Sequence, residues 1–255
     1  MESSGVGPLL DVRRVSKSFG ALAAVDDVSF SLDDREILGI AGPNGAGKTT
    51  LFNLITGAQI AADKGAVTFR GVRIERMPPH KIFQLGLART FQREASFANL
   101  TVEQNVRIGA AFGAGLRGKA LSIAVEAALD RLNLVGERDF PASALPVYGT
   151  KRLMLASAIV TKPRVLMLDE PASGLTATEV ADLQSTIISF RDGGMAILLI
   201  EHVLPLLFGI SERVMVMDFG RKLTEGAPKE IANDQRVIDA YLGGQSQATT
   251  NAVAR

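Results

Sequence analysis

The sequence predicts an α/β fold built on a mainly parallel sheet, and three observations carry that prediction. Short apolar runs at Ile37 to Ala41, Arg164 to Leu168, Met195 to Ile200 and Arg213 to Met217 alternate with helix-like segments, the pattern of strands covered on both faces. The first of these runs leads directly into Gly42-Pro43-Asn44-Gly45-Ala46-Gly47-Lys48-Thr49, which fulfils the phosphate-binding loop pattern and is followed by an apolar-periodic run from Leu51. The second ends in Asp169-Glu170, two acids at the C-terminal edge of a strand, where open α/β sheets hold ligands.

Taken in chain order, the first segment is β-rich, with alternation through Leu10-Asp11-Val12 and through Val28-Ser29-Phe30-Ser31-Leu32. After the loop, a helix should end near Gly57. The turn Asp63-Lys64-Gly65 then opens a strand from Ala66 to Arg70, closed by Gly71. From Thr101 to about Val160 the pattern becomes helical, with candidate helices at Ser122 to Leu132 and Lys151 to Ile159. That stretch is expected to form an inserted helical lobe. The Gln-, Ala- and Thr-rich tail from Gly243 has no periodicity and is expected to be disordered. No internal repeat is visible.

Composition narrows the functional classes. With 28 basic and 27 acidic residues the net charge is +1, so there is no general attraction to nucleic acid or anionic membrane. The chain has no cysteine, which removes disulfides and thiolate metal sites and fits a reducing compartment. Met1-Glu2-Ser3-Ser4 lacks the basic and apolar regions of a secretion signal. The most apolar stretch, Gly194 to Ile210, is interrupted by Glu201 and His202 and broken by Pro205, so it reads as a buried strand, a loop and a short helix instead of a membrane span.

The loop residues define a chemistry. Its glycines let backbone N–H groups face phosphate oxygens while the next helix presents its positive end. Lys48 is placed for the β- and γ-phosphates and the Thr49 hydroxyl for Mg²⁺. Asp169 is the acid expected in the Mg²⁺ shell, and Glu170 the base that accepts a proton from, or orients, the attacking water. A solvated strand end would explain Asp169-Glu170 equally well were the phosphate loop not upstream.

With these motifs in place, the chain resembles an ABC-transporter ATPase subunit over residues 9 to 243. The resemblance implies a P-loop NTPase fold with a mainly parallel core sheet, an N-terminal antiparallel β subdomain and the helical lobe at about 101–160. It implies one ABC ATPase domain over 8–243, with 1–7 and 244–255 as disordered ends. Residues Gly42 through Thr50 would bind ATP, and Phe19 would stack on adenine, the alternative being a core phenylalanine. Gln92 would contact Mg²⁺ or the attacking water and report nucleotide state to the membrane partner, and His202 would sense the γ-phosphate. His80 is expected on a surface loop, Met215 and Met217 in the core, and Glu201 as a solvated neighbour without a role. Phe19-Gly20-Ala21-Leu22, Arg89-Thr90-Phe91-Gln92, Asn99-Leu100-Thr101-Val102 and the segments from Glu225 and Val237 resemble the branched-chain amino-acid importer branch.

Two motifs depart from the family pattern. Where Leu-Ser-Gly-Gly-Gln is usual, the chain reads Leu145-Pro146-Val147-Tyr148-Gly149. In the ungapped alignment Pro146 has no N–H to donate and Tyr148 stands where a close-approach glycine is expected; a one-residue slip, which needs a deletion at the helix start, would instead give a Tyr-Gly pair like that of some branched-chain relatives. In Ser173-Gly174-Leu175-Thr176, Thr replaces the usual Asp or Asn. Such ATPases hydrolyse at a dimer interface, so the altered signature would harm a partner's site, not this chain's own. The resemblance therefore implies a second ABC ATPase subunit, in a heterodimer or a homodimer, and integral-membrane permease subunits. It also implies a periplasmic solute-binding protein acting indirectly, a place on the cytoplasmic face of the inner membrane, and no nucleic-acid partner. A weak regulatory subunit and a soluble non-transport ABC ATPase are the alternatives. The latter would need a coiled-coil insertion or tandem cassette that is not present, and no Asn-Lys-x-Asp guanine motif supports a GTPase.

Overall fold

The computed structural model describes residues 7–58, 60–90 and 96–241. The chain begins with β1 (Leu10–Phe19), β2 (Leu22–Leu32), β3 (Ile37–Ala41), α1 (Lys48–Thr56), β4 (Lys64–Phe69), β5 (Val72–Arg73) and α2 (Pro79–Gln84). It continues through β6 (Leu87–Arg89), α3 (Val102–Ile108), α4 (Gly118–Arg131), α5 (Val147–Ile159), β7 (Val165–Asp169) and α6 (Ala177–Asp192). Then come β8 (Ala196–Ile200), α7 (Leu204–Ile210), β9 (Arg213–Asp218), β10 (Arg221–Gly226), α8 (Pro228–Ala232) and helical residues 235–241. These elements fall into two compact units, Met1–Pro79 with Leu198–Arg255, and His80–Ile197.

The first unit holds an antiparallel sheet in the order β2-β1-β4-β5. β1 pairs with β2 from Leu10 opposite Leu32 to Phe19 opposite Leu22, and with β4 from Leu10 opposite Phe69. The alternation visible in the sequence sends Leu10, Val12 and Val15 inward, as the two-residue repeat of a strand requires. The same unit contains strands in the order β10-β9-β3, with β9 parallel to β3 and antiparallel to β10. Every residue of β3 is buried, so the strand carries the chain out of the core into the loop that follows. Met215 and Met217 are fully buried in β9. Helix α1 packs Leu51, Phe52, Leu54 and Ile55 into the core and stops at Gly57, whose φ of 64° is a left-handed cap.

In the second unit β6 and β7 run parallel, from Leu87 opposite Val165 to Arg89 opposite Met167. The amide of Ala196, opening β8, donates to the Arg164 carbonyl at 2.9 Å. All five residues of β7 are buried, as are all five of β8, whose residues 198–200 belong to the first unit. Helices α3, α4 and α5 follow one another between β6 and β7. Thr101 caps α3 in a reciprocal box with Gln104, and the Asn105 side chain ties the entry by bonding Phe97, Leu100 and Thr101.

Two details differ from the sequence reading, and a third gives it a structural reason. His80 is exposed, but it sits on α2 and not in a loop. Helix α5 starts at Val147, four residues before Lys151, because Pro146 supplies an extended N-cap, φ −65° and ψ 167°, from which the helix can begin. Thr176, the departure from Asp or Asn, is the N-cap of α6. Its amide bonds the Glu179 carboxylate at 2.8 Å, and the Glu179 amide donates to its hydroxyl at 3.4 Å. Asp, Asn and Thr are all good N-caps, so the change preserves the helix start.

Candidate nucleotide site

In the first unit, the phosphate loop leaves buried β3 and enters α1. Gly42 and Gly47 adopt φ of 144° and 93°, values open to glycine. A Cβ on Gly47 would lie 2.2 Å from the Ala24 carbonyl oxygen, and one on Gly42 would lie 2.2 Å from that of Met217. These positions admit no side chain. The loop is held further by the Ala46 amide donating to Pro43 O and the Gly220 amide donating to Ala46 O, both at 3.2 Å. At the start of α1 the Gly47 cap offers no side-chain acceptor, and the first turn has no acidic residue, leaving N–H donors and the helix dipole for an anion.

Lys48 is 6% exposed and lies across this loop. Its Nζ donates to Gly42 O at 2.7 Å and to Pro43 O at 2.9 Å, which fixes the ammonium beside the loop backbone. Thr49 and Asn44 are exposed, and Thr50 is half-buried. Phe19 closes β1 with 49% of its surface exposed, so it is not a core side chain. Lys17 Nζ lies 5.7 Å from its ring centroid and is anchored by Asp63 at 2.7 Å. An accessible ring is what base stacking requires.

His202 is exposed just after β8. The neighbouring Glu201 corrects the sequence reading: it is 1% exposed, and its carboxylate accepts the amides of His202 at 3.0 Å and Val203 at 3.2 Å. A charge so placed shapes the turn that carries His202. Sequence reasoning missed it because a Glu next to a strand end looks solvated.

In the second unit, β7 delivers Asp169 at 2% exposure. Its Oδ2 accepts from Arg89 Nη2 at 2.7 Å, in a pair whose side chains are 6% and 1% exposed. Oδ1 is buried with no hydrogen-bond partner among the described residues. Arg89 is the second residue that sequence reasoning missed; it was visible only as part of the Arg89-Thr90-Phe91-Gln92 run. Glu170, half-buried, takes φ of 50°, an uncommon conformation for a residue with a side chain and one that recurs at functional sites. Gln92 lies outside the described residues.

The altered signature belongs to the same unit. Pro146 caps α5, so the first N–H groups, those of Val147, Tyr148 and Gly149, are the helix's unpaired leading donors. The Tyr148 hydroxyl donates to Asp182 Oδ2 at 2.5 Å, and the Arg152 guanidinium lies 5.3 Å from the ring. Burial, then the Asp182 bond, push the phenol's pKa well up, so it remains a donor across the physiological range.

A buried strand, a glycine-built anion loop and a helix start define a nucleotide-binding α/β protein. Comparison with known proteins gives the family. The ABC transporter family matches residues 25–173, and the family described as branched-chain amino acid ATP-binding cassette transporter matches 221–246. The chain belongs to the ABC transporter ATP-binding family. It is similar to the high-affinity branched-chain amino acid transport ATP-binding protein LivG of Salmonella typhimurium, 39% identical over 251 residues, covering 92% of this chain and 98% of that one. It is 36% identical to BraF of Pseudomonas aeruginosa, described in the same words, over 252 residues with the same coverage. Among solved structures it resembles an ATP-binding cassette of an ABC transporter in its ADP conformation, at 28% identity and a TM-score of 0.85, covering 92% and 98% of the two chains.

Proposed function

We propose that this chain is the ATP-hydrolysing subunit of an ABC importer that drives uptake of branched-chain amino acids or related small polar solutes. The observation that carries the ATPase reading is the glycine-built loop with Lys48 held against it; the solute class rests on the likeness to LivG and BraF. The protein is one ABC ATPase domain over 8–243, its lobe at about 101–160 serving the permease. Attachment to the inner membrane would run through that permease, as the likeness to importer ATP-binding subunits suggests; among the described residues no helix is long and apolar enough to cross a membrane. A periplasmic solute-binding protein would take part indirectly.

Lys48 compensates phosphate charge, and residues 42–50 cradle the phosphate oxygens, with the N–H groups of Asn44, Gly45 and Gly47 to Thr50 as donors. Phe19 stacks on the base. Asp169 keeps a buried carboxylate oxygen with no hydrogen-bond partner among the described residues, and Thr49 offers a hydroxyl. Hard oxygen donors of this kind fit Mg²⁺, with Gln92 as a further ligand. Bound there, the ion would supply charge neutralisation on the phosphate oxygens. Glu170 accepts the proton of the attacking water, His202 bonds the transferring phosphate, and ADP and phosphate leave. Reconstitution with its permease and binding protein in vesicles should give ATP-dependent uptake of labelled leucine, isoleucine or valine. ATP hydrolysis without uptake of any of the three would remove that solute class.

The second subunit is a different ABC ATPase with an intact signature, because Pro146 has no N–H to offer a partner's phosphate and the Tyr148 side chain obstructs the close approach a glycine would allow. The isolated chain should be a poor ATPase. In the complex, Lys48→Ala should remove most turnover, while the corresponding change in the partner should remove much less. Robust hydrolysis by the purified chain, rising with concentration as a homodimer would, would overturn the heterodimer.

A further inference from the structure

We propose that Tyr241 is a positioning residue for the phosphate loop, its hydroxyl oxygen holding the loop's first amide so that the loop is shaped before nucleotide arrives. The phenolic oxygen accepts the Gly42 N–H at 2.8 Å, from a point 199 residues further along the chain. Gly42 is where β3 ends and the loop turns, at φ 144° and with Met217 O occupying the place of a Cβ. The Gly42 carbonyl accepts from Lys48 Nζ at 2.7 Å. One residue is therefore gripped on its N–H by Tyr241 and on its C=O by the lysine assigned to the phosphates.

Tyr241 is half-buried on helical residues 235–241, a segment anchored by Val237 at 6% exposure. Burial raises its pKa, and the Gly42 bond pulls it the other way, so the phenol is neutral at physiological pH. A glycine loop is free to adopt many shapes, and ordering it on binding costs affinity. Fixing its first peptide removes part of that cost. The general family match ends at residue 173, and Tyr241 lies in the separate match at 221–246. The brace thus belongs to the appended C-terminal segment and ties that segment to the nucleotide loop.

The inference rests on reading Gly42–Thr49 as the phosphate loop, and the test separates the two. Tyr241→Phe in the full chain removes one oxygen and leaves the ring. Calorimetric titration with ADP and Mg²⁺ at 25 °C should show a dissociation constant raised about tenfold, as expected when a partly buried amide loses its acceptor. Hydrogen exchange followed by NMR should show the Gly42 amide losing protection while those of Leu38 to Ala41 keep theirs. A role confined to fold stability would lower the thermal midpoint but leave ADP affinity at 25 °C and Gly42 protection as they were, and that result overturns the proposal. So does tighter ADP binding. Lys48→Ala, titrated alongside, decides the underlying reading. If it binds ADP as the wild type does, the phosphate-loop assignment falls and this inference with it. If it binds weakly while Tyr241→Phe binds normally, only the present inference falls.

Discussion

Glu170→Gln should bind ATP with near wild-type affinity and hydrolyse it about 10²- to 10⁴-fold more slowly, the range that general-base removal produces. The amide keeps the size of the carboxylate and can still bond water, but it cannot accept a proton at neutral pH. The backbone setting sharpens the test. Glu170 holds φ of 50°, which glutamine tolerates no better and no worse than glutamate, so the exchange alters the proton acceptor without altering the strain. Binding measured with labelled ATP, and single-turnover hydrolysis in the assembled complex, read the two steps separately. Turnover at the wild-type rate would show that another group activates the water.

Lys48→Ala should have the larger effect, losing at least about 10³-fold in turnover, because it removes a preorganised charge aimed at the phosphates. Lys48 is buried against its own loop through Gly42 O and Pro43 O, so the variant also loosens those contacts. Nucleotide affinity should fall with it. A thermal midpoint near wild type would place the loss in the site and not the fold. Lys48→Arg is an informative companion: it keeps the charge but replaces a compact ammonium with a planar fork that matches neither loop carbonyl, and it should recover little activity. Hydrolysis by Lys48→Ala within tenfold of wild type would end the assignment.

The parts of this molecule that were legible in its sequence are those written in contiguous residues. Apolar β3, its glycine loop and α1 form one local run, as do β7 and its terminal acids. Elements with weak local patterning were not legible. β6 has three residues, β5 two, and β10 is a half-exposed polar strand, Arg-Lys-Leu-Thr-Glu-Gly, with no apolar alternation. Side-chain pairings across long separations left no trace either. Arg89 meets Asp169 across 80 residues and Tyr241 meets Gly42 across 199, and in a linear text each looks like an ordinary surface residue. Glu201 was misread for a related reason: its burial is decided by the two amides it receives, and amides have no letter in the sequence. Pro146 was judged by the phosphate contact it could not make, and its fitness as a helix cap emerged only from backbone angles.

The walls nearest to Gly47 and Gly42 are main-chain oxygens, those of Ala24 and Met217. A wall made of backbone is the same wall whatever residue supplies it. Drift at positions 24 and 217 can therefore proceed without disturbing the loop, as long as β2 and β9 keep their paths. Drift at 42 or 47 has no such freedom, and no smaller residue across the gap can make room, since a carbonyl cannot be trimmed by mutation. Tolerance at this contact runs in one direction only: a search for second-site suppressors of Gly47→Ala or Gly42→Ala should return none at 24 or 217, and any that arise must act by moving a whole strand.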